Sequence, residues 1–248
     1  MKKHLSVLML AARGTIYKVL LLILATGAVQ AGLFWQAMQG AFPENGEWMD
    51  YGGLMQSLFS DSHIALTAGI AFYLLCAILC INGCGFGSKV GYTFQRLAVS
   101  EKTVTLWWAL YNGLVFVVFW ASQALVMLGL CKLYEMQAPA ELFGPQTVFL
   151  AFYRERYLHS LMPMAEISRW IRNIILCASL GICTSTFSYN LRHGKKGIAI
   201  FVLAVVTFGM FCAGMGEVAV DVTSGVLAVI VAGVSVFLVW GGLYDGEE

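Results

Sequence analysis

Six long stretches without Asp, Glu, Lys or Arg alternate with short charged connections along the chain. They cover 19–43, 64–88, 103–131, 173–191, 197–216 and 222–244. At 1.5 Å per residue, a helix through each is long enough to cross a hydrocarbon core of roughly 30 Å. An isolated strand is excluded, because lipid offers its backbone groups no partners. The short alternating segments of an outer-membrane barrel are absent. The pattern therefore predicts an all-α polytopic membrane protein: one transmembrane domain over 1–248, a bundle of six helices. The spans are predicted near 17–38, 64–82, 104–132, 168–190, 197–215 and 224–243. The longest connections are 83–102 and 134–166.

Composition agrees with lipid as the solvent. Charged residues make up 12% of the chain, against roughly 25% in soluble domains. The net charge of +1 gives no pull toward nucleic acid, and no such partner is expected. The placement of charge is more informative. Lys2, Lys3, Arg13, Lys18, Lys89, Arg96, Lys102, Arg192, Lys195 and Lys196 fall on one side of a six-span arrangement, ten of the fifteen basic residues. Lys132, Arg154, Arg156, Arg169 and Arg172 fall on the other, where the first loop holds the acids Glu44, Glu47, Asp50 and Asp61 and the last holds Glu217 and Asp221. By the positive-inside rule both termini are expected in the cytoplasm, in the cell membrane. Val29-Gln30-Ala31 has the small residues of a signal-peptidase site. Cleavage is not expected, because the basic leader is long and the apolar run continues through Trp35.

Two connecting stretches have helical spacing. Leu5, Leu8, Met9 and Ala12 beside basic residues fit either a helix in the cytoplasmic interface or an unstructured basic leader. Over 146–161, Phe149, Phe152, Tyr153, Arg156 and Tyr157 recur every three or four residues between Pro145 and Pro163, which predicts an external interfacial helix. Small residues are expected to allow close helix contact: Gly27, Ala28, Ala31 and Gly32 in the first span, Gly225 and Gly233 in the last.

Catalytic and energy-coupling motifs are missing. Gly85-Phe86-Gly87-Ser88-Lys89 has the wrong order for a phosphate-binding loop. His4, His63, His159 and His193 are scattered, and no nucleophile elbow occurs. The charge-free windows hold only mild polar groups, among them Gln30, Thr67, Asn112, Gln123, Thr184 and Ser188, which usually knit helices together. The chain is thus not expected to be an enzyme or to carry a cofactor. Cys76, Cys80 and Cys84 share a helix face. Thiolates at that spacing suit Cu(I), but small residues at a packing seam are the simpler account, and no metal site is predicted.

The most informative connection begins with a glycine cluster, Gly83-Cys84-Gly85-Phe86-Gly87. A helix-capable piece follows from Tyr92 to Ala98, and Ser100 and Glu101 sit where the cap and first turn of the third span belong. Here Gly91-Tyr92-Thr93-Phe94-Gln95-Arg96-Leu97-Ala98-Val99-Ser100-Glu101-Lys102 resembles the loop between spans two and three of permease subunits of ABC-2-type transporters. The six-span count, inside termini and basic leader are also similar to that family. The chain departs from it in the short 214–223 connection, and in Ser88 and Lys89 where an acidic pair often precedes the threonine. The resemblance implies that Tyr92, Thr93, Phe94, Gln95, Arg96 and Leu97 form a coupling helix docking on a separate ATP-binding cassette subunit, with Ser100 and Glu101 as cap. It implies ATP and Mg on that partner, a second permease protomer, surrounding lipids, and export of an amphipathic or hydrophobic substrate. The alternative reading is a non-transporting scaffold or accessory subunit that recruits a cytoplasmic partner. The plainest reading of the loop is a basic connection that fixes topology.

Overall fold

The computed structural model describes residues 2–42, 55–84, 100–138, 143–144, 146–164, 166–213 and 218–241. Among these, nine helices occur: α1 (Lys2–Ala41), α2 (Met55–Asp61), α3 (Ile64–Gly83), α4 (Glu101–Gln137), α5 (Thr147–Arg154), α6 (Arg156–Leu161), α7 (Ile167–Arg192), α8 (Ala199–Cys212) and α9 (Val218–Trp240). Five of them, α1, α3, α4, α7 and α9, are long and apolar enough to cross a membrane. The protein is a polytopic helical membrane protein.

Its distribution of polarity is that of a lipid-solvated bundle. Large apolar side chains cover the outside, including Leu21, Leu24, Leu66, Leu125, Val205 and Ile230. The interior holds Thr15, Gln30, Asn112, Gln123, Thr184 and Ser185 beside an aliphatic and aromatic core. In water such an arrangement would expose far more contiguous apolar surface than a monomer carries.

α7 is the most buried of the five long helices and α1 the least. Four helices, α3, α4, α8 and α9, pack on α7, and three of them are joined to it by polar contacts. Against α4, Asn112 Nδ2 donates to Thr184 Oγ1 at 2.9 Å and Ser185 Oγ donates to the Thr105 carbonyl at 2.6 Å. Against α3, Ser188 Oγ donates to the Cys80 carbonyl at 2.8 Å. Against α9, Cys183 Sγ lies 3.8 Å from Ser235 Oγ. α1 is tied to α4 by Thr15 with Tyr111 (2.7 Å) and by Gln30 with Gln123 (2.9 Å). Each such bond satisfies a polar group that hydrocarbon would leave bare.

α7 and α4 come into close backbone approach at Gly181 and Gly113, where a Cβ on Gly181 would lie 2.5 Å from the Gly113 nitrogen. The small residues expected at seams behave unequally. Gly27 faces Val126 and Gly225 faces Ile175, whereas Gly32 and Gly233 face open space. Their lack of a side chain makes no helix contact there, because small size permits close approach without supplying a partner.

Several boundaries differ from the sequence expectation. The leader is neither a separate interfacial helix nor an unstructured tail: residues 2–13 continue unbroken into the first span as part of α1. Nothing helix-breaking separates them, since no proline occurs and Gly14 is accommodated against the Asn82 amide. α8 has 14 residues, about 21 Å of helix, shorter than the expected 197–215 span. The stretch 146–161 is two helices, α5 and α6, rather than one. Glu155 is extended between them (φ −81°, ψ 127°), and its carboxylate caps α6 by accepting from the Leu158 N–H at 2.6 Å. Of the aromatic residues in this stretch, only Phe149 and Tyr153 turn outward. Phe152, Tyr157 and Leu158 are buried in a second core with Phe34, Met127 and Tyr134. α2 was not anticipated. It joins α3 through His63, whose φ of 51° is left-handed.

Candidate functional site: charged junctions at the two ends of the bundle

The helices alternate in direction, so the bundle has a near end, where α1 and α4 begin and α7 stops, and a far end, where α7 and α9 begin. Each end carries a charged junction.

At the near end, Ser100 Oγ accepts from the Thr103 N–H at 3.4 Å and lies 2.7 Å from Thr103 Oγ1, so Ser100 caps α4. Glu101 occupies the first turn of α4, where a negative charge suits the helix dipole. Its carboxylate meets Arg192 Nη2 at 3.2 Å and His193 Nε2 at 3.5 Å, both at the end of α7. The antiparallel helices thus offer complementary dipole ends to one another. The Glu101–Arg192 pair is partly solvated and worth about 0.2–1 kcal/mol. Of the sequence-predicted docking set, Tyr92, Thr93, Phe94, Gln95, Arg96 and Leu97 lie outside the described residues. Ser100 and Glu101 alone can be placed.

Cys76, Cys80 and Cys84 are buried and unbridged. Cys84 Sγ donates to the Cys80 carbonyl at 3.0 Å, and burial raises the Cys84 thiol above its ordinary pKa. Among the described residues, no group of three or more metal-ligating side chains converges.

The far-end junction was missed by sequence reasoning. Arg169, Arg172 and Asn173 lie on one face of α7, and Asp221 lies in the first turn of α9. Arg172 Nη1 donates to Asp221 Oδ1 at 2.6 Å, while Arg172 Nε and Nη2 reach Asn173 Oδ1 at 3.2 and 3.0 Å. Arg169 Nε contacts Glu166 Oε2 and lies 3.6 Å from Asp221 Oδ2. The Arg169–Glu166 geometry is a charge contact rather than an aligned hydrogen bond. Ser168 Oγ donates to Asp221 Oδ2 at 3.2 Å. The Arg169, Arg172 and Asp221 side chains are each 2% exposed, so they are charges withdrawn from solvent. Asn173 extends the network to α6 by donating to the Ser160 carbonyl at 2.9 Å, and His159 Nε2 sits 3.8 Å from Glu166 Oε1. Two arginines balance Glu166 and Asp221, and the charges are close enough to compensate one another.

The capping carboxylate of α6 sits in a related environment. Burial raises the Glu155 pKa above its ordinary value of 4.5, partly opposed by backbone N–H donors at Leu158 and Tyr157 and by Arg156. A carboxylate with a raised folded-state pKa favours the protonated fold, so its contribution to stability declines as pH climbs from 4.5 through the raised value. Glu155→Gln keeps an oxygen for the cap and removes the titration. Unfolding midpoints in detergent from pH 4 upward should therefore fall less steeply for this variant than for the parent chain.

Taken together, the apolar exterior, the largely apolar interior threaded with hydrogen-bonded polar groups, and the buried charge pairs define a multi-span helical membrane protein. No protein-family model, curated protein or solved structure matches the chain.

Proposed function

We propose that this chain is the membrane-spanning permease subunit of an ATP-driven transporter. In this reading the near end is cytoplasmic, both termini are inside, and the protein lies in the cell membrane. α8 makes a sixth crossing with help from the residues flanking it, which gives the even number that returns the chain to the side on which it began. A separate ATP-binding cassette subunit docks on Tyr92, Thr93, Phe94, Gln95, Arg96 and Leu97, and a second permease protomer completes the pathway.

One observation supports this reading above others. The connection that resembles a coupling helix ends on Ser100 and Glu101, and Glu101 is tied to Arg192 and His193 of α7. From there the α4–α7 seam runs the length of the bundle to the buried charges of the far end. A displacement of the loop therefore has a packed route to the Arg172–Asp221 pair between α7 and α9. ATP binding and hydrolysis stay on the partner, and this chain converts the partner's motion into opening of one end or the other. A largely apolar and aromatic interior suits an amphipathic or hydrophobic substrate, exported in this reading.

Co-purification with a Walker-motif ATPase tests the docking. The double substitution Phe94→Ala with Arg96→Glu should abolish co-purification and ATP-dependent flux in proteoliposomes. Full partner binding and flux in that variant would refute the docking assignment. Partner binding by the parent chain without flux would favour a scaffold.

A further inference from the structure

Between α3, α4, α6, α7 and α8 lies a cavity of about 60 Å³. Phe72, Phe116, Phe119 and Phe208 form much of its wall. One polar group stands out. The Gln123 side chain lines the cavity, and Gln123 is 1% exposed. Its Oε1 accepts from Gln30 Nε2 at 2.9 Å and from Tyr157 Oη at 3.4 Å, so the amide is oriented from two sides. Its Nε2 has no hydrogen-bond partner in the protein. The other polar groups on this wall are already committed: Tyr157 donates to Gln123, and Thr207 donates to the Leu203 carbonyl at 2.7 Å. A buried amide donor left unmatched is costly, and native interiors seldom carry one without a reason.

The volume constrains what can satisfy that donor. At about 60 Å³ the space admits only a few waters, well below the roughly 300–1,000 Å³ of a pocket for a drug-sized molecule. A larger occupant must insert one end and leave the rest in the bilayer. The wall has one place suited to this. The Phe208 ring lies directly over Gly69, where any side chain would collide with it. Phe208 belongs to α8, an apolar helix of 14 residues, and Phe201 and Val205 of the same helix are each 63% exposed. Phe208 lines the cavity from α8 opposite Gly69 of α3, so a rotation of its ring would open the cavity sideways between these two helices.

We infer that this cavity receives the apolar or aromatic end of an amphipathic molecule bearing a hydrogen-bond acceptor, such as a carbonyl oxygen, which binds the Gln123 amide after entering from the bilayer past Phe208. This goes beyond the transport reading and does not depend on it, since binding is measured on the isolated chain without ATP or a partner.

Two probes of nearly equal shape test the inference: para-fluoroacetophenone and its carbonyl-free counterpart para-fluoroethylbenzene. Each is titrated into the purified full chain in detergent micelles and followed by fluorine NMR. Saturable, protein-dependent broadening is expected for both. The ketone should bind about two- to tenfold more tightly, the worth of one neutral hydrogen bond. Gln123→Leu should bring the ketone down to the hydrocarbon's affinity. Ala68→Leu, which fills the cavity from α3 without touching the amide, should abolish saturable binding of both probes and serves if Gln123→Leu fails to fold. Equal affinities for the two probes in the parent chain would overturn the assignment of Gln123. An identical response from the parent and Ala68→Leu, or none from either, means micelle partitioning only and would overturn the site.

Discussion

Replacing Asp221 with alanine is expected to destabilise the fold by about 3–5 kcal/mol, the cost of removing one partner from a buried ion pair. The measurement is the unfolding midpoint of the purified chain in mixed detergent. Asp221 faces both Arg169 and Arg172, which are almost wholly buried, so neither guanidinium gains water when the carboxylate is lost. Asn173 and Glu166 remain as partners, but the cluster is left with one excess positive charge. The double variant Arg172→Met with Asp221→Leu removes both charges and keeps Arg169 against Glu166. It should recover most of the loss, because a well-packed apolar pair often matches a buried ion pair in stability. A loss below about 1 kcal/mol in the single variant would show that the cluster behaves as a solvated surface pair. Under the transport proposal, the recovered double variant is the more informative one. It keeps the fold while removing the charges between α7 and α9, so an altered flux in it would assign the pair to gating.

That cluster also shows where sequence reasoning reached its limit. The helical class and five of the long helices were legible, because an apolar run needs only local information to declare its solvent. The charges were invisible for the same reason. Charge-free windows end wherever an ionised residue appears, so Arg169, Arg172 and Asp221 were read only as external charge although the span predicted near 168–190 took in both arginines; α7 begins at Ile167 and α9 at Val218, and all three charges lie inside these helices. Pairing residues 49 apart in sequence requires knowledge of which helices touch. Ser100 was legible as a cap from its position before Glu101, a signal that lies within four residues. The tie from Glu101 to Arg192 was not, since it is tertiary. The division of 146–161 could have been suspected at Glu155, an acid among aromatics with a helix-capable run after it. Its aromatic spacing described two faces, one outward through Phe149 and Tyr153 and one inward through Phe152, and periodicity alone does not tell which face meets lipid and which meets protein.

Glycine gives the sharpest contrast between what a residue type permits and what a contact demands. Gly181→Ala is expected to destabilise the fold by at least about 1–3 kcal/mol, the range for overpacking a tight interior, whereas Gly113→Ala, across the same seam, should lie within about 0.5 kcal/mol of the parent. A Cβ on Gly181 points into backbone, at 2.5 Å from the Gly113 nitrogen, 2.6 Å from its Cα and 2.7 Å from the Ala109 carbonyl oxygen. No side chain is available to move aside, so α4 and α7 must separate. A Cβ on Gly113 would meet the Cys177 carbonyl and the Ala178 Cα at 3.8 and 3.9 Å, ordinary contact distances. Separation at Gly181 would also stretch the bond from Asn112 to Thr184, the nearest polar link on the same seam. Unfolding midpoints of the two single variants in the same detergent decide the matter, and equal effects would show that this crossing is looser than 2.5 Å implies. If the loop before α4 transmits a partner's motion through this seam, as proposed, Gly181→Ala should in addition lower flux without lowering partner binding, since the proposed docking residues precede α4 in sequence and are unchanged in that variant.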